Sequence, residues 1–300
     1  MSPHRALQQH AAEVRRVTWW GLIINLLLSA LKFAGGILGS SQAVVADAIH
    51  SLSDSVTDVA VLVGLRFWSK PPDESHPHGH RRIETLVTVA IGLLLAAVAV
   101  GLAVGALRGL RRLDLPSPEW IAFAAAVVSI GSKEWLYRWT VAVGRRARSS
   151  AVIANAWHHR SDALSSIPAA VAVAGAAFHP AWSFLDPLGA LIVTLFILQA
   201  AWRIVKPALW ELVDTGAPPE ECEEILRLAE ETEGVTNAHA LRTRYVGPGM
   251  HVDLHIEVDP EITVREGHDI SEKVKSRLID QGPSVIDVVV HLEPEGDEGD

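Results

Sequence analysis

Ala46-Asp47-Ala48-Ile49-His50-Ser51-Leu52-Ser53-Asp54-Ser55-Val56-Thr57-Asp58 lies inside an apolar segment long enough to cross a membrane, yet it carries one imidazole and three carboxylates. His50 and Asp54 are four apart, so a helix puts them on one face, about 6 Å apart along its axis. A second apolar segment repeats the pattern in Trp157-His158-His159-Arg160-Ser161-Asp162, where His158 and Asp162 again stand at i and i+4. Two helices that each offer one His and one Asp make a site of two nitrogens and two oxygens. An ionised side chain at mid-bilayer costs at least about 2.5–3.5 kcal/mol on insertion scales, so Asp54 and Asp162 need a compensating partner. A divalent cation held by two carboxylates and two neutral imidazoles brings the net charge to zero. Tetrahedral nitrogen and oxygen donors suit zinc, whereas magnesium and manganese prefer six oxygens. The alternative is that each His pairs with an Asp and only braces the bundle; two independent His-x-x-x-Asp pairs in two spans are hard to explain that way. Asp47 and Asp58 extend the same stripe by about a turn each way, and Asn155 precedes His158 by one turn, so these three are accessory candidates. His159 points about 100° away from His158 and is expected not to ligate.

Outward from these stretches, six apolar segments approach or exceed the roughly 20 residues a bilayer core requires: 18–38, 43–68, 83–107, 120–143, 151–178 and 185–205. The second and fifth hold the polar pairs. The others are nearly clean apart from Lys32 in the first and Lys133 with Glu134 in the fourth. Trp19, Trp20, Trp68, Trp120, Trp182 and Trp202 fall near segment ends, as an interfacial belt does. Pro168 predicts a kink in the fifth span, and Gly101 with Gly105 predicts close helix packing in the third. Lys and Arg in the short loops place both termini in the cytoplasm, with 1–16 a polar cytoplasmic segment and not a cleavable signal. Arg108, Arg111 and Arg112 run against that majority. The net charge of −9 comes without a basic face, which argues against a nucleic-acid partner. Cys222 is the only cysteine, so neither a disulfide framework nor a thiolate metal site is available.

The membrane part is expected over 17–206 and a soluble tail domain over 207–294, followed by a disordered acidic end at 295–300. Pro218-Pro219-Glu220 opens an amphipathic helix that ends near Gly234. A strand over 235–246, the turn Gly247-Pro248-Gly249, and a strictly alternating strand over 250–258 follow. A second helix over 263–280 and a strand over 285–292 complete an αββαβ layer of helices on a sheet. Two further clusters suit metal. The loop after the second span, Pro71-Pro72-Asp73-Glu74-Ser75-His76-Pro77-His78-Gly79-His80, offers Asp73, His76 and His80, with His78 as a substitute. The tail offers His239, His251, His255, His268, His291 and Glu293; His291 and Glu293 share one strand face, as do His251 and His255. Solvated polar surfaces are the plain alternative for both clusters.

Together, the six spans, His50-Ser-Leu-Ser-Asp54, His158-His-Arg-Ser-Asp162, the histidine loop and the αββαβ tail resemble the cation diffusion facilitator family. The likeness runs from about residue 14 to 293. It implies a polytopic α-helical membrane protein with a metallochaperone-like α+β tail, working as a homodimer in the lipid bilayer; a bacterial inner membrane is the expected location, with an internal membrane as the alternative. It implies a transporter, not an enzyme, that exports divalent metal in exchange for protons. The transport site is then His50, Asp54, His158 and Asp162, the loop site Asp73, His76 and His80, and the tail sites His239, His255, His268, His291 and Glu293. Glu293 stands where the family often shows Asp. His at position 50 resembles the zinc-favouring pattern, so Zn²⁺ is expected as substrate and regulator. Iron, cadmium, cobalt, nickel or manganese as main substrate is the alternative, as is a non-transporting sensor or partner subunit. A membrane metalloenzyme of the di-iron kind would need more histidines at one depth.

Overall fold

The computed structural model describes residues 3–68, 70–111, 116–147 and 150–296, with the side chains of 3–15, 54, 57–66, 68, 147, 150, 151 and 154 outside the described set. The side chains of Asp54 and Asp58, and the acidic end at 297–300, therefore lie outside the described set. The chain divides into two compact units, one of 1–63 with 91–203 and one of 64–90 with 204–300.

The first unit is helical. Its elements are α1 (Pro3–Leu38), α2 (Gln42–Trp68), α3 (Arg82–Leu110), α4 (Trp120–Ala147), α5 (Ser150–Ser165), α6 (Ile167–Phe178) and α7 (Leu185–Leu212), with α2, α3 and α7 running on into the second unit. Among the described residues, four stretches are long and apolar enough to cross a membrane: Arg16–Leu38, Arg82–Leu110, Asn155–Phe178 and Pro180–Leu212. The other two expected spans form helices of 27 and 28 residues, α2 and α4, which carry more charge. Leu27, Leu94, Val171 and Leu195 are each 64–65% exposed on the outside, whereas Lys32 and Asp47 are fully buried. That inversion of the soluble pattern is what a hydrocarbon solvent selects.

The helices meet over small side chains. Ala43, Val44 and Ala46 of α2, Ala99 and Ala106 of α3, Ala122 and Ala126 of α4, and Ala190 and Val193 of α7 share one core. A Cβ at Gly35 of α1, or at Gly39 just past its end, would come within 2.6 or 2.7 Å of the Cβ of Ala125 or Ala122, so α1 and α4 approach closely there. Among the described residues, the close packing expected at Gly101 and Gly105 is not made: a Cβ at either meets nothing within 4 Å. Both instead line a cavity of about 550 Å³ beside Gly36, Ser41 and Gln42. The kink expected at Pro168 takes the form of a joint, because the ring removes an N–H at the first turn of α6. The chain carries on through Ser166, whose N–H reaches Asp162 O at 3.3 Å.

The entry of α2 is fixed by a carboxylate from α7. Asp186 accepts from Ser41 Oγ (2.6 Å), Gln42 N (2.7 Å) and Ala43 N (3.3 Å), while Ser41 Oγ accepts from Val44 N (3.1 Å). Helix N–H groups that have no partner within the helix are thereby satisfied.

The second unit holds α8 (Pro219–Glu230), β1 (Asn237–Val246), β2 (Gly249–Val258), α9 (Val264–Gln281) and β3 (Val285–Pro294). The sheet order is β1-β2-β3, antiparallel then parallel. Gly247 takes φ +60° in the two-residue turn between β1 and β2, a conformation that favours glycine. Val252, Leu254 and Ile256 bury one face of β2 against Ile225 and Leu228 of α8 and Val274 and Leu278 of α9. A capping box of Thr263 and Glu266 starts α9, and its hydrogen bonds hold the Glu266 carboxyl below the usual range. The histidine loop belongs to this unit: Arg82 Nη2 donates to Asp214 Oδ1 at 2.6 Å, and Glu211 accepts from both Thr85 Oγ1 and Gly247 N at 2.6 Å.

Candidate metal centres

In the helical unit, α2 and α5 carry the two His-x-x-x-Asp pairs. His158 Nδ1 lies 3.7 Å from Asp162 Oδ1, so the i, i+4 spacing does put them on one face. Asp162 is 6% exposed, and half of the His158 side chain is exposed. His50 is half-buried, and its Nδ1 has no hydrogen-bond partner among the described residues. Asn155 is half-buried one turn before His158. His159 is 3% exposed and packs beside Gly21, with neither ring nitrogen hydrogen-bonded among the described residues.

The compensating partners that buried carboxylates need include two lysines of this chain. Lys32 Nζ sits 3.0 Å from Asp47 Oδ2 and Lys133 Nζ 3.3 Å from Asp162 Oδ2, each pair almost fully buried. Ser166 Oγ donates to Asp47 Oδ1 at 2.8 Å. Asp47 is thus engaged by Lys32 and Ser166. Both lysines interrupt otherwise apolar spans in the sequence, and that interruption is the signal that marks them.

The loop gathers Asp73, His76 and His80, whose ligand atoms all lie within 4.8 Å of one another. Asp73 Oδ1 is 3.5 Å from His76 Nδ1 and Oδ2 is 3.3 Å from His80 Nε2. The turn is built by the aspartate itself: Asp73 Oδ1 accepts from Ser75 N, Ser75 Oγ and His76 N at 2.8–3.0 Å. The Ser75 hydroxyl and the His76 N–H hold the Asp73 carboxyl down at about 2, so it stays an anion. Gly79, at φ +82°, turns the chain back towards His80. His78 stands outside this trio; it faces His251 of β2 across ring centroids 6.5 Å apart. Both line a cavity of about 720 Å³ with Lys70, Arg81, Glu84 and Asp287. Burial pushes the His251 imidazole down.

In the tail, strand register does what spacing alone does not reveal. His239, His255 and His291 are directly paired across β1, β2 and β3. Glu293 reaches all three: Oε1 lies 2.7 Å from His255 Nδ1 and 3.4 Å from His291 Nε2, and Oε2 lies 3.2 Å from His239 Nε2. The ligand atoms of His239, His255 and Glu293 fall within 4.8 Å of one another. Glu257, not singled out in the sequence, adds an oxygen 3.6 Å from His239 Nδ1; its place two residues after His255 on the alternating strand was the available sign. His268 is exposed on α9, outside this group of ligand atoms.

Comparisons with known proteins bear on the whole chain. Residues 18–213 match the family model of the cation efflux transmembrane domain, and residues 217–295 match that of the cation efflux protein cytoplasmic domain, a dimer domain. Metal tolerance protein C1 of Arabidopsis thaliana is 35% identical over 97% of this chain, which spans 64% of that longer protein. An uncharacterised transporter of Methanocaldococcus jannaschii is 36% identical over 89% of this chain and 93% of its own length. The manganese efflux system protein MneP of Bacillus subtilis is 32% identical, over 93% and 96% respectively. With both halves matched in order and relatives aligned nearly end to end, the chain belongs to the cation diffusion facilitator family of integral membrane transporters, which export divalent metal.

Proposed function

We propose that this protein exchanges divalent transition metal, zinc foremost, for protons through His50, Asp54, His158 and Asp162. The observation that carries the reading is the repeat of His-x-x-x-Asp on α2 and α5, with Asp162 buried and its Oδ1 turned to His158 at 3.7 Å. Two imidazoles and two carboxylates favour four-coordinate zinc. Imidazoles change charge near neutral pH, so one set of ligands serves metal and proton in turn, and that shared use couples the two fluxes. Metal enters from the cytoplasm and displaces protons; rocking of the helices exposes the site, and protons from the far side release the metal. All six spans cross a bacterial inner membrane with both termini cytoplasmic.

Asp73, His76 and His80 form a labile capture site on the cytoplasmic face. His239, His255, His291 and Glu293 form a sensing site in the tail, to which a second copy of the chain contributes His268. Metal there favours the compact homodimer and raises transport when metal is plentiful. A second reading takes manganese as the main substrate, supported by two relatives named as manganese efflux proteins.

The test is flux into proteoliposomes under an imposed proton gradient, with Zn²⁺, Mn²⁺, Fe²⁺ and Cd²⁺ offered in parallel to the protein and its Asp54→Ala variant. Gradient-driven Zn²⁺ flux that Asp54→Ala abolishes supports the reading. Mn²⁺ flux in its place keeps the mechanism and changes the metal. No flux of any metal sinks both.

A further inference from the structure

Asp162 has a partner that metal ligation does not require. Its Oδ2 takes a hydrogen bond from Lys133 Nζ at 3.3 Å while its Oδ1 faces His158. Lys133 is 1% exposed on α4, and its ammonium also donates to Ser51 Oγ at 3.2 Å. Ser51 is the residue after His50 on α2. One buried cation therefore touches both helices that carry the His-x-x-x-Asp pairs, α5 at the carboxylate of Asp162 and α2 at the residue that follows His50. A lysine that merely braced α4 against α5 would need neither the bond to α2 nor a place on the ligand carboxylate. Ser51 Oγ also accepts from Lys32 Nζ at 2.5 Å, and Lys32 is held by Asp47. Each ammonium thus has a carboxylate of its own, and the shared serine joins the two pairs.

We propose that Lys133 is a positioning residue that loosens the grip of the transport site: it occupies one oxygen of Asp162, leaves the other for the metal, and puts a positive charge one carboxylate away from the bound cation. This rests on Asp162 being a transport ligand. A cation beside the carboxylate draws off its electron density and repels a second cation, and both effects are strong where water is excluded. An exporter gains from this, because a site that holds metal too tightly loads but does not empty.

The experiment is Zn²⁺ and Mn²⁺ uptake kinetics of the full-length protein in proteoliposomes. Lys133→Gln, which keeps a donor and loses the charge, lowers the metal KM about tenfold and lowers the maximal rate with it. Lys133→Arg, which keeps the charge, holds KM near wild type. Ser51→Ala leaves Asp162 as the main acceptor of the ammonium and raises KM; it decides the matter should Lys133→Gln fail to fold. A purely structural lysine would give a falling rate with KM unchanged or raised in Lys133→Gln, and no change of KM in Ser51→Ala; either result overturns the proposal. Asp162→Ala separates the two levels. If Asp162→Ala transports like wild type, the transport-site reading itself fails. If it is inactive while Lys133→Gln shows no fall in KM, only the role of Lys133 fails.

Discussion

Asp73 shows how a few hydrogen bonds keep a carboxylate ionised. Its carboxyl is held at about 2, first by the Ser75 hydroxyl and then by the His76 N–H. A folded-state value below the ordinary 3.8 favours the ionised form, so the contribution of these bonds is complete above the ordinary carboxylate range and is lost as pH falls towards 2. Above that range Asp73 is an anion, as the proposed capture site requires. Ser75→Ala should move the Asp73 titration up towards 3.8, read from its side-chain carboxyl carbon by NMR. An unmoved midpoint would mean that the backbone N–H groups suffice. Lys32 makes a different case, since it neutralises Asp47 where no water reaches. Lys32→Met leaves the buried Asp47 carboxylate with the Ser166 hydroxyl but without its counter-charge and should cost about 3–5 kcal/mol, whereas adding Asp47→Leu should recover most of that. Chemical denaturation of the three variants in detergent measures the difference, and a double variant as unstable as the single one would contradict the pairing.

The helices are held in place largely by their ends and their small residues. Asp186 binds the first turn of α2 from α7, and α2 carries His50. Asp186→Ala should therefore cost about 2–3 kcal/mol, since hydrogen bonds to a charged group are lost and helix N–H groups are left unpaired. It should also reduce transport though Asp186 touches no ligand; a melting temperature equal to wild type would refute the anchoring role. In the sheet, register matters more than any one residue. His239, His255 and His291 form a row because they are direct ladder partners, with the register of β1 on β2 shifting only between His239 and Arg242, and Glu293 closes over them. Zn²⁺ at a hundred times its dissociation constant should then stabilise the tail by about 2.7 kcal/mol. The shift in thermal melting should vanish in His255→Ala and in Glu293→Ala, and a full shift in both would remove the site from consideration.

Across the chain, the proposed topology puts the tail and both termini on one side of the membrane. Cys222 is the sole cysteine and lies half-buried in α8, so it is a natural reporter. A membrane-impermeant maleimide should label it in everted vesicles and not in intact spheroplasts; labelling from the outer side would reverse the orientation.

The apolar runs, the two His-x-x-x-Asp repeats and the alternation of 250–258 were enough to read membrane helices, an αββαβ tail and the residues that share a face. Those features are local: the 3.6-residue turn and the two-residue pleat act within a few positions, so their periods are written along the chain. Lys32 and Lys133 were visible only as charges out of place. Their partners, Asp47 and Asp162, stand 15 and 29 positions away and became evident only once the helices were packed. The same holds for the row of three histidines, for Glu257, and for the loop of Asp73 joining the tail's unit. Side chains far apart in sequence meet only where register and helix packing bring them together, and in the buried interior Lys32 and Lys133 then meet the carboxylates within their reach. Spacing along the chain carries neither piece of information.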